Sequence, residues 1–270
     1  MAEQGEAADE GSILAHAASG EGPPLLLLNG GMMTYLAWEP LAAPLRESFQ
    51  VVGCDFRGQL RSPGEAPADL AVHAADVVRL LDHLGLPSVH VLGTSFGGAV
   101  GVMLAALHPQ RVRSFTAVTI ADHATEAMDA ETRSMAGIVQ SILEGGDRQP
   151  FLQRLEERVF SPAYRERKAE ELAARRQALG KMPEAWFRGL VGILAAIEGF
   201  DLRPHLPNIA CPTRVVLTEA DRVMPPEHCR ALAEAIPQAT VTTHPTAGHA
   251  LVAEEPQWLR EVVEEFLGAC

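Results

Sequence analysis

Aromatic residues are scarce in this chain, at 5% of 270 positions. A core must therefore be built mainly from Leu, Val, Ile and Ala, and a hydrophobic content of 47% is enough for a large one. Cysteine is scarce too. The four residues Cys54, Cys211, Cys229 and Cys270 show no Cys-x-x-Cys spacing, which speaks against a structural zinc site. Nothing in their spacing requires a disulfide, so free thiols in a reducing compartment are expected. No apolar run approaches the roughly 18 residues that span a bilayer. The opening MAEQGEAADEG lacks the basic and apolar regions of a secretory signal, and its first ten residues are expected to fray. Positive charge is also in short supply, with 22 Lys+Arg against 35 Asp+Glu and a net charge of −13. Such a surface repels nucleic-acid phosphates and anionic lipid headgroups, and Arg57, Arg61, Arg111 and Arg113 are scattered rather than striped. No basic cluster marks an anionic pocket, and no histidine–carboxylate cluster has metal-ligand spacing. The expectations are therefore no metal, no cofactor, no nucleic-acid or membrane partner, a small-molecule substrate and a cytoplasmic location.

What the chain does have is a regular alternation. Short, strongly apolar runs at 25–28, 50–54, 89–92, 114–119, 214–217 and 240–243 read as buried parallel strands, with a seventh at 13–17. Helical patterns separate them at 69–84, 96–107, 225–235 and 256–267. This predicts an α/β fold with a mostly parallel sheet covered by helices on both faces. Residues 122–205 break the pattern with about four helices, near 130–144, 148–159, 163–179 and 184–197. The expected organisation is a core domain of 1–121 and 206–270 with a helical lid of 122–205 inserted. The third inserted helix is charged on most faces and should meet solvent. The fourth, apolar nearly all round, should pack down over the core.

The most informative stretch is His90-Val91-Leu92-Gly93-Thr94-Ser95-Phe96-Gly97-Gly98. It sets Gly-x-Ser-x-Gly between a strand and a small-residue helix, where a sharp turn lifts the serine oxygen above the sheet edge and glycines avoid clashes. The Phe96 N–H then lies at the positive end of the helix dipole, suited to an oxyanion. A serine needs a base, and the base an acid. Asp221 follows the 214–217 strand and His249 follows the 240–243 strand, both at carboxyl ends, where ligands bind in open α/β sheets.

On these residues the chain resembles the α/β-hydrolase superfamily, in particular small bacterial serine hydrolases with a helical cap. The anchors are Gly93-Thr94-Ser95-Phe96-Gly97-Gly98, Glu219-Ala220-Asp221 and Gly248-His249 followed by Glu255-Pro256. The resemblance implies Ser95 as nucleophile, His249 as base and Asp221 as orienting acid. Asp55-Phe56-Arg57-Gly58-Gln59-Leu60-Arg61-Ser62 is similar to a structural loop of the family, with Leu60 replacing its second glycine. Where the family carries His-Gly, this chain reads Asn29-Gly30-Gly31-Met32. The second oxyanion donor is then the Gly31 N–H, with Met32 the second choice. A similar Asn occurs in some enol-lactone hydrolases of the superfamily.

Other assignments compete. Asp122 follows the 114–119 strand, where some members carry their acid, so it is the alternative to Asp221. Met32, Met128 and Trp186 are candidates for the substrate pocket, and His123 and His244 read as structural. The chemistry expected is hydrolysis of a small or medium uncharged carboxylic ester or lactone through an acyl-enzyme. Thioester or carbon–carbon bond hydrolysis with the same triad is one alternative, and a ligand-binding module without turnover is another. Oligomeric state is not readable from the sequence.

Overall fold

A computed structural model describes residues 13–62 and 64–269. The frayed N-terminal residues expected from the sequence, and Cys270, lie outside this range. Seven strands form one sheet in the order β1-β3-β2-β4-β5-β6-β7. These are β1 (His16–Ser19), β2 (Pro24–Leu28), β3 (Gln50–Cys54), β4 (Val89–Thr94), β5 (Val112–Val118), β6 (Thr213–Thr218) and β7 (Thr240–His244). All pairings are parallel except that of β1 with β3. The expected seventh strand is therefore real but shifted to later residues. It is an antiparallel edge strand, largely exposed, where the sequence pattern predicted a buried parallel one.

Alternate residues of the strands feed two cores. Leu26, Leu28, Val91, Phe115 and Val215 face helices α2 (Leu70–His83), α3 (Phe96–Leu107) and α9 (Pro226–Ala235). Leu25, Leu27, Leu92, Val118 and Val216 face α1 (Glu39–Leu45) and α11 (Pro256–Gly268). Asp69 caps α2 by accepting from the Ala71 N–H at 2.8 Å, which contributes about 1 kcal/mol. Helix α1 escaped the sequence reading because Pro40 and Pro44 punctuate it. Both fit, since Pro40 lies in the first turn and Pro44 near the end of a seven-residue helix.

Between β5 and β6 run α4 (Glu126–Leu143), α5 (Gln149–Val159), α6 (Pro162–Arg167), α7 (Ala169–Gly180) and α8 (Glu184–Ile197). The single helix expected at 163–179 is two, divided at Lys168, whose backbone (φ −116°, ψ 26°) leaves the helical region. The chain leaves and re-enters the core through a short antiparallel neck, with Ala124 N donating to Phe200 O (2.8 Å) and Leu202 N to Asp122 O (2.9 Å). Helix α8 presses so closely on the 55–62 loop that a Cβ on Gly189 would sit 1.6 Å from the Gly58 carbonyl oxygen. Short α10 (Leu251–Glu254) follows β7. Among the described residues no helix is long and apolar enough to cross a membrane.

Burial also sets the ionisation of several core groups. It pushes the Cys54 and Cys229 thiols far above their usual range, so they pack as small hydrophobes. His73 meets the rings of Phe56 and Phe96 edge-on, at 5.7 and 5.0 Å. Its Nε2 lies 2.9 Å from the Pro67 carbonyl and must be the protonated nitrogen, while its buried Nδ1 has no partner among the described residues. A second proton would have no acceptor, and burial lowers the pKa to about 4. The unfolded chain takes up that proton nearer pH 6.5, so stability is complete above this value and declines as the pH falls toward 4. Urea unfolding of His73→Gln should therefore show a shallower loss of free energy between pH 6.5 and 4 than wild type.

Candidate active site

The turn from β4 to α3 places Ser95 at φ 52°, ψ −120°, a region that costs a non-glycine residue of order 1–3 kcal/mol. Close packing enforces the turn. A Cβ on Gly97 would stand 2.2 Å from the Leu28 carbonyl oxygen, and one on Gly93 2.5 Å from that of Gly97. Ser95 N is tied to Val118 O at 2.9 Å, and Phe96 is wedged edge-on against Phe56 (5.2 Å) as well as His73.

His249 arrives from the loop after β7. Its Nδ1 is 2.8 Å from Asp221 Oδ2 and its Nε2 is 2.9 Å from Ser95 Oγ. A carboxylate only accepts, so Nδ1 carries the proton and Nε2 is left to accept from the serine hydroxyl. The other Asp221 oxygen accepts from the Val223 and Met224 N–H groups at 2.8 and 2.9 Å, which fixes the carboxylate. Asp122 does not reach this histidine. Its Oδ1 instead accepts from His228 Nδ1 at 3.0 Å and lies 2.9 Å from His123 Nδ1. These three side chains offer ligand atoms within 4.8 Å of one another. The sequence did not reveal the cluster because His228 comes from α9, far along the chain.

Two fixtures of the site were not read from the sequence. The first is Gln59. Its Nε2 donates to the carbonyls of Gly30 (2.9 Å) and Gly31 (3.3 Å), and its Oε1 accepts from Asn29 Nδ2 (3.0 Å) and Phe56 N (2.9 Å). Asn29 in turn accepts from Trp38 Nε1 (2.8 Å) and donates to Asp55 (3.0 Å). Burial raises the Asp55 pKa, opposed by hydrogen bonds from Tyr35 N, Arg61 N and Asn29. A trans peptide sets N–H opposite C=O. With their partner carbonyls held by Gln59, the N–H groups of Gly31 and Met32 point away from this network. Among the described residues neither these N–H groups nor that of Phe96 finds an acceptor.

The second fixture is Glu254, buried at 6% exposure. Its Oε1 accepts from Gly248 N (3.0 Å) and Ser161 N (2.8 Å), and its Oε2 from Ser161 Oγ (2.6 Å). Ala250 N donates to Val159 O at 2.8 Å. The backbone on both sides of His249 is thus fastened to the α5–α6 junction.

Ser95 and His249 open on a cavity of about 360 Å³. Gly31, Phe96, Met32 and Met128 line it, together with Met135, Leu190, Ile193 and Leu194. Trp186 does not. It is buried with Phe187 (rings 4.9 Å apart) among the apolar side chains that α4, α5 and α8 share, and the later turns of α8 form the cavity wall. The expectation of a wall without a basic cluster is also corrected, because Arg158 and Arg175 line the cavity with Glu131.

Residues 23–256 match the family described as the alpha/beta hydrolase fold. The chain belongs to the α/β-hydrolase family. Among similar proteins is RutD of Azorhizobium caulinodans, which bears the name of a carbamate hydrolase. It is 29% identical over 253 residues, covering 92% of each chain. The pimeloyl-[acyl-carrier protein] methyl ester esterase of Aeromonas hydrophila is 28% identical, over 92% of this chain and 97% of its own. The enol-lactonase of Burkholderia xenovorans superposes with a TM-score of 0.79 at 26% identity, over 94% of this chain and 96% of its own. All three names are those of hydrolases, and the α/β-hydrolase architecture is common ground among them.

Removing the Glu254 carboxylate leaves the Gly248 and Ser161 N–H groups buried without acceptors, at about 1–3 kcal/mol each. Glu254→Ala is accordingly expected to lose several kcal/mol, read as a lower urea midpoint with an unchanged m-value.

Proposed function

We propose that the protein is a serine hydrolase that cleaves a small or medium carboxylic ester or lactone through an acyl-enzyme. The observation that carries this reading is the unbroken chain of hydrogen bonds from Asp221 through His249 to Ser95 at 2.8 and 2.9 Å. As Ser95 Oγ attacks the substrate carbonyl, His249 Nε2 takes its proton and Asp221 stabilises the imidazolium. The carbonyl oxygen, becoming negative, is received by the N–H of Phe96 at the start of α3 and that of Gly31, with Met32 next to it. His249 returns the proton to the departing alkoxide and then activates the water that releases the acid. Helices α4–α8, within residues 122–205, serve as a lid whose apolar side chains keep water from competing in the cavity.

The relatives' names support hydrolysis of ester-type bonds but differ in the group that is cleaved. The apolar wall of Met128, Met135, Leu190 and Ile193 supports an acyl or alkyl chain of limited length.

A fluorophosphonate probe should label wild type stoichiometrically at Ser95. Ser95→Ala should lose at least about 10³-fold in kcat on p-nitrophenyl acetate while keeping its fold. Absence of labelling would favour a binding module without turnover. Retention of most activity by Ser95→Ala would displace the assigned nucleophile.

A further inference from the structure

In a chain of net charge −13, the wall of the reactive cavity carries two guanidinium groups and one carboxylate among its described residues. The carboxylate, Glu131, is already engaged. Arg154 holds it with two hydrogen bonds of 2.9 and 2.7 Å from outside the cavity wall, and Arg158 Nε approaches it to 3.5 Å. Arg158 also donates to the Arg222 carbonyl at 3.0 Å. Arg175 is different. Among the described residues it has neither an ion-pair partner nor a hydrogen bond. Its guanidinium carbon stands 5.2 Å from the centre of the Phe160 ring, which also borders the cavity. Among the described residues Glu156 is its favourable charge neighbour, and that carboxylate also pairs with Arg176 at 3.8 Å.

An arginine stacked on an aromatic ring keeps the N–H groups of its edge available, in a fork that matches a carboxylate. Arg175 comes from α7, whose buried residue is Leu172, and its own side chain is exposed against the Phe160 ring at the open side of the cavity. The same cavity is lined by Arg158 and Arg175, by the apolar Met128, Met135, Leu155 and Ile193, and by Ser95. One uncommitted guanidinium, assisted by the partly engaged Arg158, balances a single negative charge, as on a carboxylate, rather than the double charge of a phosphate monoester.

We propose that Arg175 and Arg158 form a carboxylate-binding subsite, so that the substrate is an ester or lactone bearing a free carboxylate remote from the bond cleaved. This rests on the serine-hydrolase reading for the reaction itself, and it replaces an uncharged substrate with a monoanionic one. Arg175 makes the specific contact. Arg158 adds positive potential, and the apolar stretch between them and Ser95 sets the spacing between the two carbonyl groups.

The test compares a neutral p-nitrophenyl ester, the butyrate, with the mono-p-nitrophenyl half-esters of glutaric and adipic acid. In wild type, kcat/KM should favour at least one half-ester. In Arg175→Met the ratio of half-ester to neutral ester should fall tenfold or more, chiefly through KM, and Arg175→Lys should restore part of it. A wild type that hydrolyses butyrate with no preference for either half-ester would overturn the subsite, as would a ratio unmoved in Arg175→Met. A thermal-shift titration with adipate separates the two readings. A shift in wild type that is missing from Arg175→Met supports the subsite even if neither ester turns over, whereas equal or absent shifts overturn it. Failure of every ester to turn over bears on the hydrolase reading alone.

Discussion

The close approach of Gly97 to the Leu28 carbonyl is the constraint on which the rest of the site depends. A side chain as small as a methyl group cannot fit there, so α3 can start only where β4 ends, and the residue at the junction is forced to a positive φ. That residue is Ser95. Its unfavourable backbone is held by the packing of the whole sheet rather than by any one contact. The same geometry leaves the Phe96 N–H unused at the start of a helix, and Phe56 and His73 keep the Phe96 ring from relaxing. The other parts then have to be delivered to this fixed point. Gln59 and Asn29 deliver the Gly30–Gly31 backbone, and Glu254 with Asp221 delivers His249.

The fold was largely legible in the sequence because buried parallel strands are continuous apolar runs, as in β2 to β6, whereas β7, expected as a buried run at 240–243, is a Thr-rich edge strand that is largely exposed. The elbow was legible because its glycines are required locally, within five residues. His249 and Asp221 were singled out by their positions after strands, and the structure brings both beside Ser95. What was not legible depends on partners distant in the chain. Gln59 is one polar residue of a loop and becomes important only once the 55–62 turn folds back on the Asn29 loop. Glu254 reads as one acid beside another until Ser161, 93 residues earlier, is brought against it. The break at Lys168 leaves no proline or glycine behind, so periodicity ran through it.

The pocket shows the same limit from the side of charge. A net charge is a sum over the surface and says little about a cavity. Arg158 and Arg175 lie on different helices, and neither belongs to a basic run that would mark a site. Packing of α5 with α7 brings them to one wall, while Arg154 and Arg158 engage the nearby Glu131. A chain of net charge −13 thus places two guanidinium groups and one carboxylate on the wall of this cavity. Trp186 illustrates the converse. The largest side chain of the inserted helices looks like pocket furniture in the sequence, yet it stabilises best where it can be enclosed completely, among Phe187 and its neighbours.

The fastening of the His249 loop has a consequence for how the molecule works as a machine. The residues on both sides of the imidazole are bonded to the end of α5 and the start of α6, through Ala250 to Val159 and through Gly248 and Glu254 to Ser161. Raising that corner of the helical layer would strain the His249 imidazole away from Ser95. Opening of that corner and the contact between His249 and Ser95 are therefore mechanically linked, and the helical layer can move most freely where it is not bonded to the His249 loop.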